Sequence, residues 1–107
     1  MSDFDDRRRG QEKRYELGQE LEFRAQARRA KLTGLWAAGL MGMTGDPAAA
    51  YAKSVILSDL EEAGVEDLFR KIQSDLAAKN VSPSEHVIRS KMEEFLAVAR
   101  QQMRDGV

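Results

Sequence analysis

Apolar residues recur along most of this chain at spacings of three and four, the pattern of helices that each bury one face. Leu17, Leu21, Ala25, the stem of Arg28, Leu32, Leu35, Trp36 and Leu40 fall on one stripe. They predict a first helix over about 19–42. Gly42 suits the left-handed residue past a helix end. In the turn that follows, Thr44 or Asp46 is placed to cap a second helix, with Pro47 in its first turn. That helix is expected over 46–63, with Tyr51, Ala52, Val55, Ile56 and Leu60 inward and Gly64 as its stop. Glu66 and Asp67 open a third over 66–79, facing inward with Leu68, Phe69, Ile72 and Leu76 and stopping at Asn80. Ser82-Pro83-Ser84-Glu85 reads as a capping box with Ser82 as cap. It begins a fourth helix over 83–104, marked by Ile88, Met92, Phe95, Leu96, Ala99 and Met103.

No stretch alternates with a period of two, and no segment repeats. Four amphipathic helices joined by short connections predict an all-α four-helix bundle of antiparallel neighbours. Trp36, the only tryptophan, lies mid-stripe on the first helix. Full burial there would make its truncation to alanine cost roughly 3–5 kcal/mol.

Residues 1–14 break the pattern. They hold one aromatic, Phe4, and no periodic apolar face. Gly10 and Gly18 each cost a helix up to about 1 kcal/mol relative to alanine. A segment so poor in apolar surface cannot offset its ordering entropy, which predicts a flexible arm over 1–18 ahead of a bundle over 19–107.

Charge sharpens this division. The net charge is −1 overall, yet residues 1–31 carry nine Lys/Arg against seven Asp/Glu, while 32–64 carry one against four. The arm is dense in both signs, and Asp3, Asp5 and Asp6 stand directly before Arg7, Arg8 and Arg9, which argues against a nucleic-acid arm. Glu12, Glu16, Glu20 and Glu22 argue against adsorption to anionic lipid. At 107 residues with 42% hydrophobic positions, the chain fits one solvated globular domain. With no cysteine, disulfides and thiolate chemistry are excluded. No signal peptide or bilayer-spanning run is visible, so a cytoplasmic protein is expected.

Candidate chemistry is sparse. The single histidine, His86, has Ser82 and Ser84 nearby but no oxyanion-hole motif, so a surface role is the expectation. Carboxylates at Asp59, Glu61 and Glu62 and at Glu93 and Glu94 lack the Glu-x-x-His pairing of bundle metal sites. No phosphate-binding glycine loop is present. We expect no enzyme, metal or cofactor. What remains is a mixed-charge arm on a stable bundle, an arrangement suited to binding another protein by folding the arm.

Several blocks carry a resemblance. They are Phe4-Asp5-Asp6-Arg7, Ala27-Arg28-Arg29-x-Lys31-Leu32-x-Gly34-Leu35-Trp36-Ala37-Ala38, Ala50-Tyr51-Ala52, Glu61-Glu62-Ala63-Gly64, Asp67-x-Phe69-Arg70-Lys71 and Ile88-Arg89-x-Lys91-Met92-x-Glu94-Phe95-Leu96-Ala97. In this order and spacing they resemble the zeta subunit family of alphaproteobacterial F-type ATP synthases, small inhibitors of ATP hydrolysis. The resemblance implies a four-helix protein whose N-terminal segment enters the catalytic head between an alpha and a beta subunit, near the gamma rotor. There it blocks rotation in the hydrolysis direction. Carried onto this chain, Phe4, Tyr15 and Leu17 would be apolar anchors, and Asp5, Asp6, Arg7, Arg8, Arg9, Lys13 and Arg14 would pair charges. It also implies a location peripheral to the inner membrane when bound. Gly10 departs from the alanine common in the family and implies a more conditional inhibitor. The alternative expectation is a small bundle that senses an adenine nucleotide in a cleft near Trp36.

Overall fold

The computed structural model describes the backbone of residues 3–106 and the side chains of residues 18–106. Four helices follow in chain order: α1 (Asp3–Leu40), α2 (Gly45–Glu61), α3 (Val65–Ala78) and α4 (Glu85–Asp105). Among the described residues there is no strand. The fold is an all-α four-helix bundle, and the last three helices lie within two residues of their expected bounds. The first differs at its start. α1 begins at Asp3 rather than near residue 19. No proline interrupts this stretch, and two glycines at up to about 1 kcal/mol each do not end a helix.

α1 is the common member of the bundle. It packs against α2, α3 and α4, whereas α2 and α4 do not meet and α3 closes the side between them. Serving three neighbours at once changes which side chains α1 buries. The expected stripe placed Leu32, Leu35, Trp36 and Leu40 in the core. Instead the buried positions of α1, among its described side chains, are Ala25, Arg29, Ala30, Thr33, Gly34, Ala37 and Ala38. Leu35 and Leu40 are exposed, and Trp36 is half-buried against the edge of the core. Small residues let the axes approach closely, and the volume of the core comes from the partners. Val55 of α2, Leu68, Phe69, Ile72 and Leu76 of α3, and Ile88 and Met92 of α4 fill it. Gly34 marks the tightest approach. A Cβ built there would lie 3.0 Å from the Ala52 Cα and 3.2 Å from the Val55 Cγ2.

α2 repeats the theme. Its buried residues are Ala52, Val55 and Asp59, while Leu60, expected inward, is exposed. Ile88, Met92 and Ala99 of α4 and the four expected residues of α3 are buried as the periodicity predicts.

The helix ends follow local chemistry. Gly42 adopts φ +79° past α1, and the Met43 amide reaches back to the Ala38 carbonyl. Asn80 takes φ +60° past α3, where the Val81 amide donates to the Leu76 carbonyl and the Asn80 amide to Ala77. Both ends are the paired closure that a left-handed residue permits. Before α4 the cap is Ser84, not Ser82. The Ser84 hydroxyl accepts from the Val87 amide at 3.1 Å. Ser82 followed by Pro83 also has the form of a helix start, yet α4 begins at Glu85 and the cap lies two residues on. Glu85, expected to reach back to Ser82, instead accepts from Arg89.

Two polar clasps tie α3 to its neighbours. The Tyr51 hydroxyl donates to Asp75 at 2.8 Å, and Lys71 donates to the same carboxylate at 2.9 Å. Burial, then the Asp75 hydrogen bond and charge, push the Tyr51 phenol above its usual range. Arg89 of α4 lies 4.1 Å above the Phe69 ring and also bonds Glu66.

Candidate functional site

The arm positions singled out from the sequence, Phe4, Asp5, Asp6, Arg7, Arg8, Arg9, Lys13, Arg14, Tyr15 and Leu17, have side chains outside the described residues. The site is therefore built from where α1 enters the bundle. Ala25 is the first buried residue of α1 among those described, at 1% exposure. Just ahead of it, Arg100 of α4 grips Glu22 through both Nε, at 3.1 and 3.2 Å, and Nη2. This bidentate pair is partly exposed. The Arg100 hydrogen bonds hold the Glu22 carboxyl below the usual carboxylate range, against a smaller opposing effect of burial. Six residues later the Arg28 guanidinium donates to the Gln102 side chain at 2.8 Å.

These contacts pair residues 22 and 28 of α1 with residues 100 and 102 of α4, so the C-terminal turns of α4 flank α1 at the start of the buried region. A shallow hollow of about 200 Å³ lies there, lined by Gly18, Leu21, Glu22, Ala25, Arg100, Met103 and Arg104. Gly18 is open to solvent, and a side chain there would meet nothing within 4 Å. On the outer face Arg24 pairs with Glu20 at 2.6 Å, an ion pair one turn apart.

The basic trio at the junction divides. Arg28 bonds Gln102, Lys31 is exposed, and Arg29 is buried at 5% exposure. Arg29 is opposed by Asp59 of α2, itself 8% exposed, yet the Arg29 Nε and the Asp59 Oδ1 have no hydrogen-bond partner. Burial pushes the Asp59 carboxyl up, and the attraction of Arg29 only partly counters it. Burial likewise lowers the Arg29 guanidinium, with Asp59 opposing.

Trp36 packs against the core edge and does not line the large cleft of about 510 Å³ between α3 and the 81–83 connection. His86 and Ser82 are both exposed, and Ser84 is occupied as a cap. Among the described residues, no three His, Asp or Glu side chains converge on a metal position, and no helix is long and apolar enough to cross a membrane.

Sequence reasoning missed the Glu22–Arg100 and Arg28–Gln102 pairs. These residues are 78 and 74 positions apart, and charge alone does not select partners at that range. Asp59 did leave a signal, because it continues the Ala52, Val55 stripe as the one carboxylate on it.

The family model for the ATPase inhibitor subunit zeta matches residues 1–102. This chain belongs to that family. A solution NMR structure is 46% identical to it, covering 81% of this chain and 99% of the other, with a TM-score of 0.69. Comparison with curated proteins finds no match. For this zeta-family chain, the family description makes the role inhibition of an ATPase, and the matched span takes in the whole N-terminal segment together with nearly all of the bundle.

Proposed function

We propose that this protein is a non-enzymatic inhibitor of ATP hydrolysis by an F-type ATP synthase, with residues 1–18 as its inhibitory element. The observation that carries this reading is the family match, which runs from residue 1 through the bundle. The segment inserts between an alpha and a beta subunit of the catalytic head, near the gamma rotor, and obstructs rotation in the hydrolysis direction. Phe4, Tyr15 and Leu17 anchor it in apolar contacts, while Asp5, Asp6, Arg7, Arg8, Arg9, Lys13 and Arg14 pair with charges of the head.

The geometry of the junction supports this arrangement. α1 is one helix from Asp3 to Leu40, so the inhibitory segment is built on the same rod as the bundle. At 1.5 Å per residue the part ahead of Gly18 spans about 22 Å, enough to enter a subunit cleft. The Glu22–Arg100 and Arg28–Gln102 pairs fix the point where the rod leaves its partners, and the wider bundle behind them limits the depth of insertion.

The test measures ATP hydrolysis by the cognate catalytic head with the full chain, with residues 19–107 alone, and with full-length Phe4→Ala and Tyr15→Ala. Inhibition should disappear with the truncated chain and weaken with each substitution. Inhibition by residues 19–107 equal to that of the full chain would place the inhibitory element in the bundle and overturn the proposal.

A further inference from the structure

α1 carries one large apolar side chain past the point where most of the bundle ends. Phe23 is 60% exposed, the most of any large apolar residue among those described. It stands eleven residues, close to three helical turns, before Gly34, and so lies on the same line of α1. That line faces α2, because Gly34 meets Ala52 and Val55. α2 does not run far enough to cover it. Antiparallel to α1, it passes from Ala52 and Val55 beside Gly34 to Asp59 opposite Arg29, and ends at Glu61. α3 then begins at Val65, which shares a hollow with Arg29. The two helices therefore meet their turn near Arg29, and Phe23 lies about 9 Å further along the rod. There α4 still flanks α1, held by the Arg100–Glu22 pair.

The charges of this stretch are committed within the chain. Glu20 is paired with Arg24, Glu22 with Arg100, and Arg28 with Gln102. What remains for a partner is an aromatic ring, the kind of side chain that anchors protein interfaces. It also stands on a line built for packing, since Ala30 and Ala37, seven and fourteen residues on, are buried in the core.

Position selects the occupant. Phe23 is five residues, about 8 Å, behind Gly18 on the helix that carries the arm. A partner that receives residues 1–18 along α1 meets Phe23 as its next surface. A second copy seated on Phe23 would lie along the arm and compete with that partner. We propose that the interface made by the arm extends onto Phe23, whose ring packs in an apolar depression at the mouth of the protein cleft that takes residues 1–18. This rests on the inhibitory reading and adds to it an anchor outside the arm. The ring acts on the lifetime of the complex, where most differences in affinity between variants of one interface lie.

The experiment compares full-length wild type with full-length Phe23→Ser and Phe23→Leu on the cognate catalytic head. It reads the concentration for half-inhibition of ATP hydrolysis, the dissociation rate and the melting temperature. Phe23→Ser should raise the half-inhibiting concentration at least about tenfold through faster dissociation. Phe23→Leu should raise it less, and the melting temperature of both should stay that of wild type. Wild type that inhibits while Phe23→Ser inhibits equally well would overturn this extension and leave the arm in place. A wild-type chain without inhibition would overturn the inhibitory reading and the extension together. A melting temperature lowered by several degrees in Phe23→Ser would make the ring part of the bundle, and a wild-type dimer that Phe23→Ser splits in sedimentation would assign it to a second copy. Either result would overturn the proposal.

Discussion

Gly34 shows how one missing Cβ sets the spacing of two helices. The atoms a methyl group would meet there include the Ala52 Cα, a backbone atom that cannot swing aside. Gly34→Ala must push α2 away, and overpacking of this kind costs about 1–3 kcal/mol. The gain in helix propensity, at most about 1 kcal/mol, offsets only part of it. The urea midpoint should therefore fall, and a midpoint at or above wild type would show that the α1–α2 approach is looser than described. Asp59 carries a second residue-level consequence. Its folded pKa is raised above the ordinary carboxylate value by burial, so between the unfolded and folded values the native state binds more protons. Stability attributable to this group then rises as pH falls. Measured against Asp59→Asn, wild type should gain stability on acidification from pH 7 toward about 4, near the unfolded carboxyl value. A difference moving the other way would mean that the Arg29 attraction outweighs burial. Glu22 works in the opposite sense, since its lowered pKa gives stability that fades on acidification. The comparison with Asp59→Asn cancels that background.

At the scale of elements, the existence and order of the helices were legible because punctuation and periodicity agreed. Gly42 and Asn80 stop helices where the apolar pattern lapses, each with positive φ, whereas Gly64, expected to stop α2, lies beyond its Glu62 end and precedes α3 as the N-cap residue. Two features were not legible. A leucine-rich stripe marks the buried face only for a helix with one partner. α1 has three partners, and close approach favours Ala30, Thr33, Gly34, Ala37 and Ala38 over Leu35 and Leu40. The choice between Ser82 and Ser84 was also ambiguous, since either serine precedes the fourth helix and Ser82 before Pro83 also has the form of a helix start. The expected start near residue 19 lies inside the observed α1, which begins at Asp3. Gly18 lies inside that helix with open space around it. Gly18→Ala should thus raise helicity and stabilise the protein by about 0.5–1 kcal/mol. Circular dichroism and thermal unfolding check this, and a loss of stability would show that α1 is not helical through this position.

For the whole molecule, the proposed division of labour separates stability from inhibition. The described core runs from Ala25 to Ala99, so residues 19–107 should fold on their own. Their melting temperature should lie within a few degrees of that of the full chain, the shift expected from about 1 kcal/mol or less. A collapse of the melting temperature on truncation would show that the arm is structural. Gly10→Ala should strengthen inhibition without changing the bundle core, because ordering the arm as helix costs up to about 1 kcal/mol less. Equal inhibition by both forms would remove helix formation from the account. The arm itself was legible as a segment unlike the rest, through its charge density and lack of apolar period. Its partner was legible only through family resemblance, since no residue pattern within a chain encodes the shape of another protein's cleft.

The small-residue face of α1 has a practical consequence for mutagenesis. Alanine scanning reads a site by what is lost when a side chain is shortened. On this face Ala25, Ala30, Ala37 and Ala38 have nothing to lose, and at Gly34 the scan adds an atom instead. At the four alanines a conventional scan would thus report tolerance, on the helix that touches every other. Substitutions that enlarge, such as alanine to leucine, would reveal its intolerance.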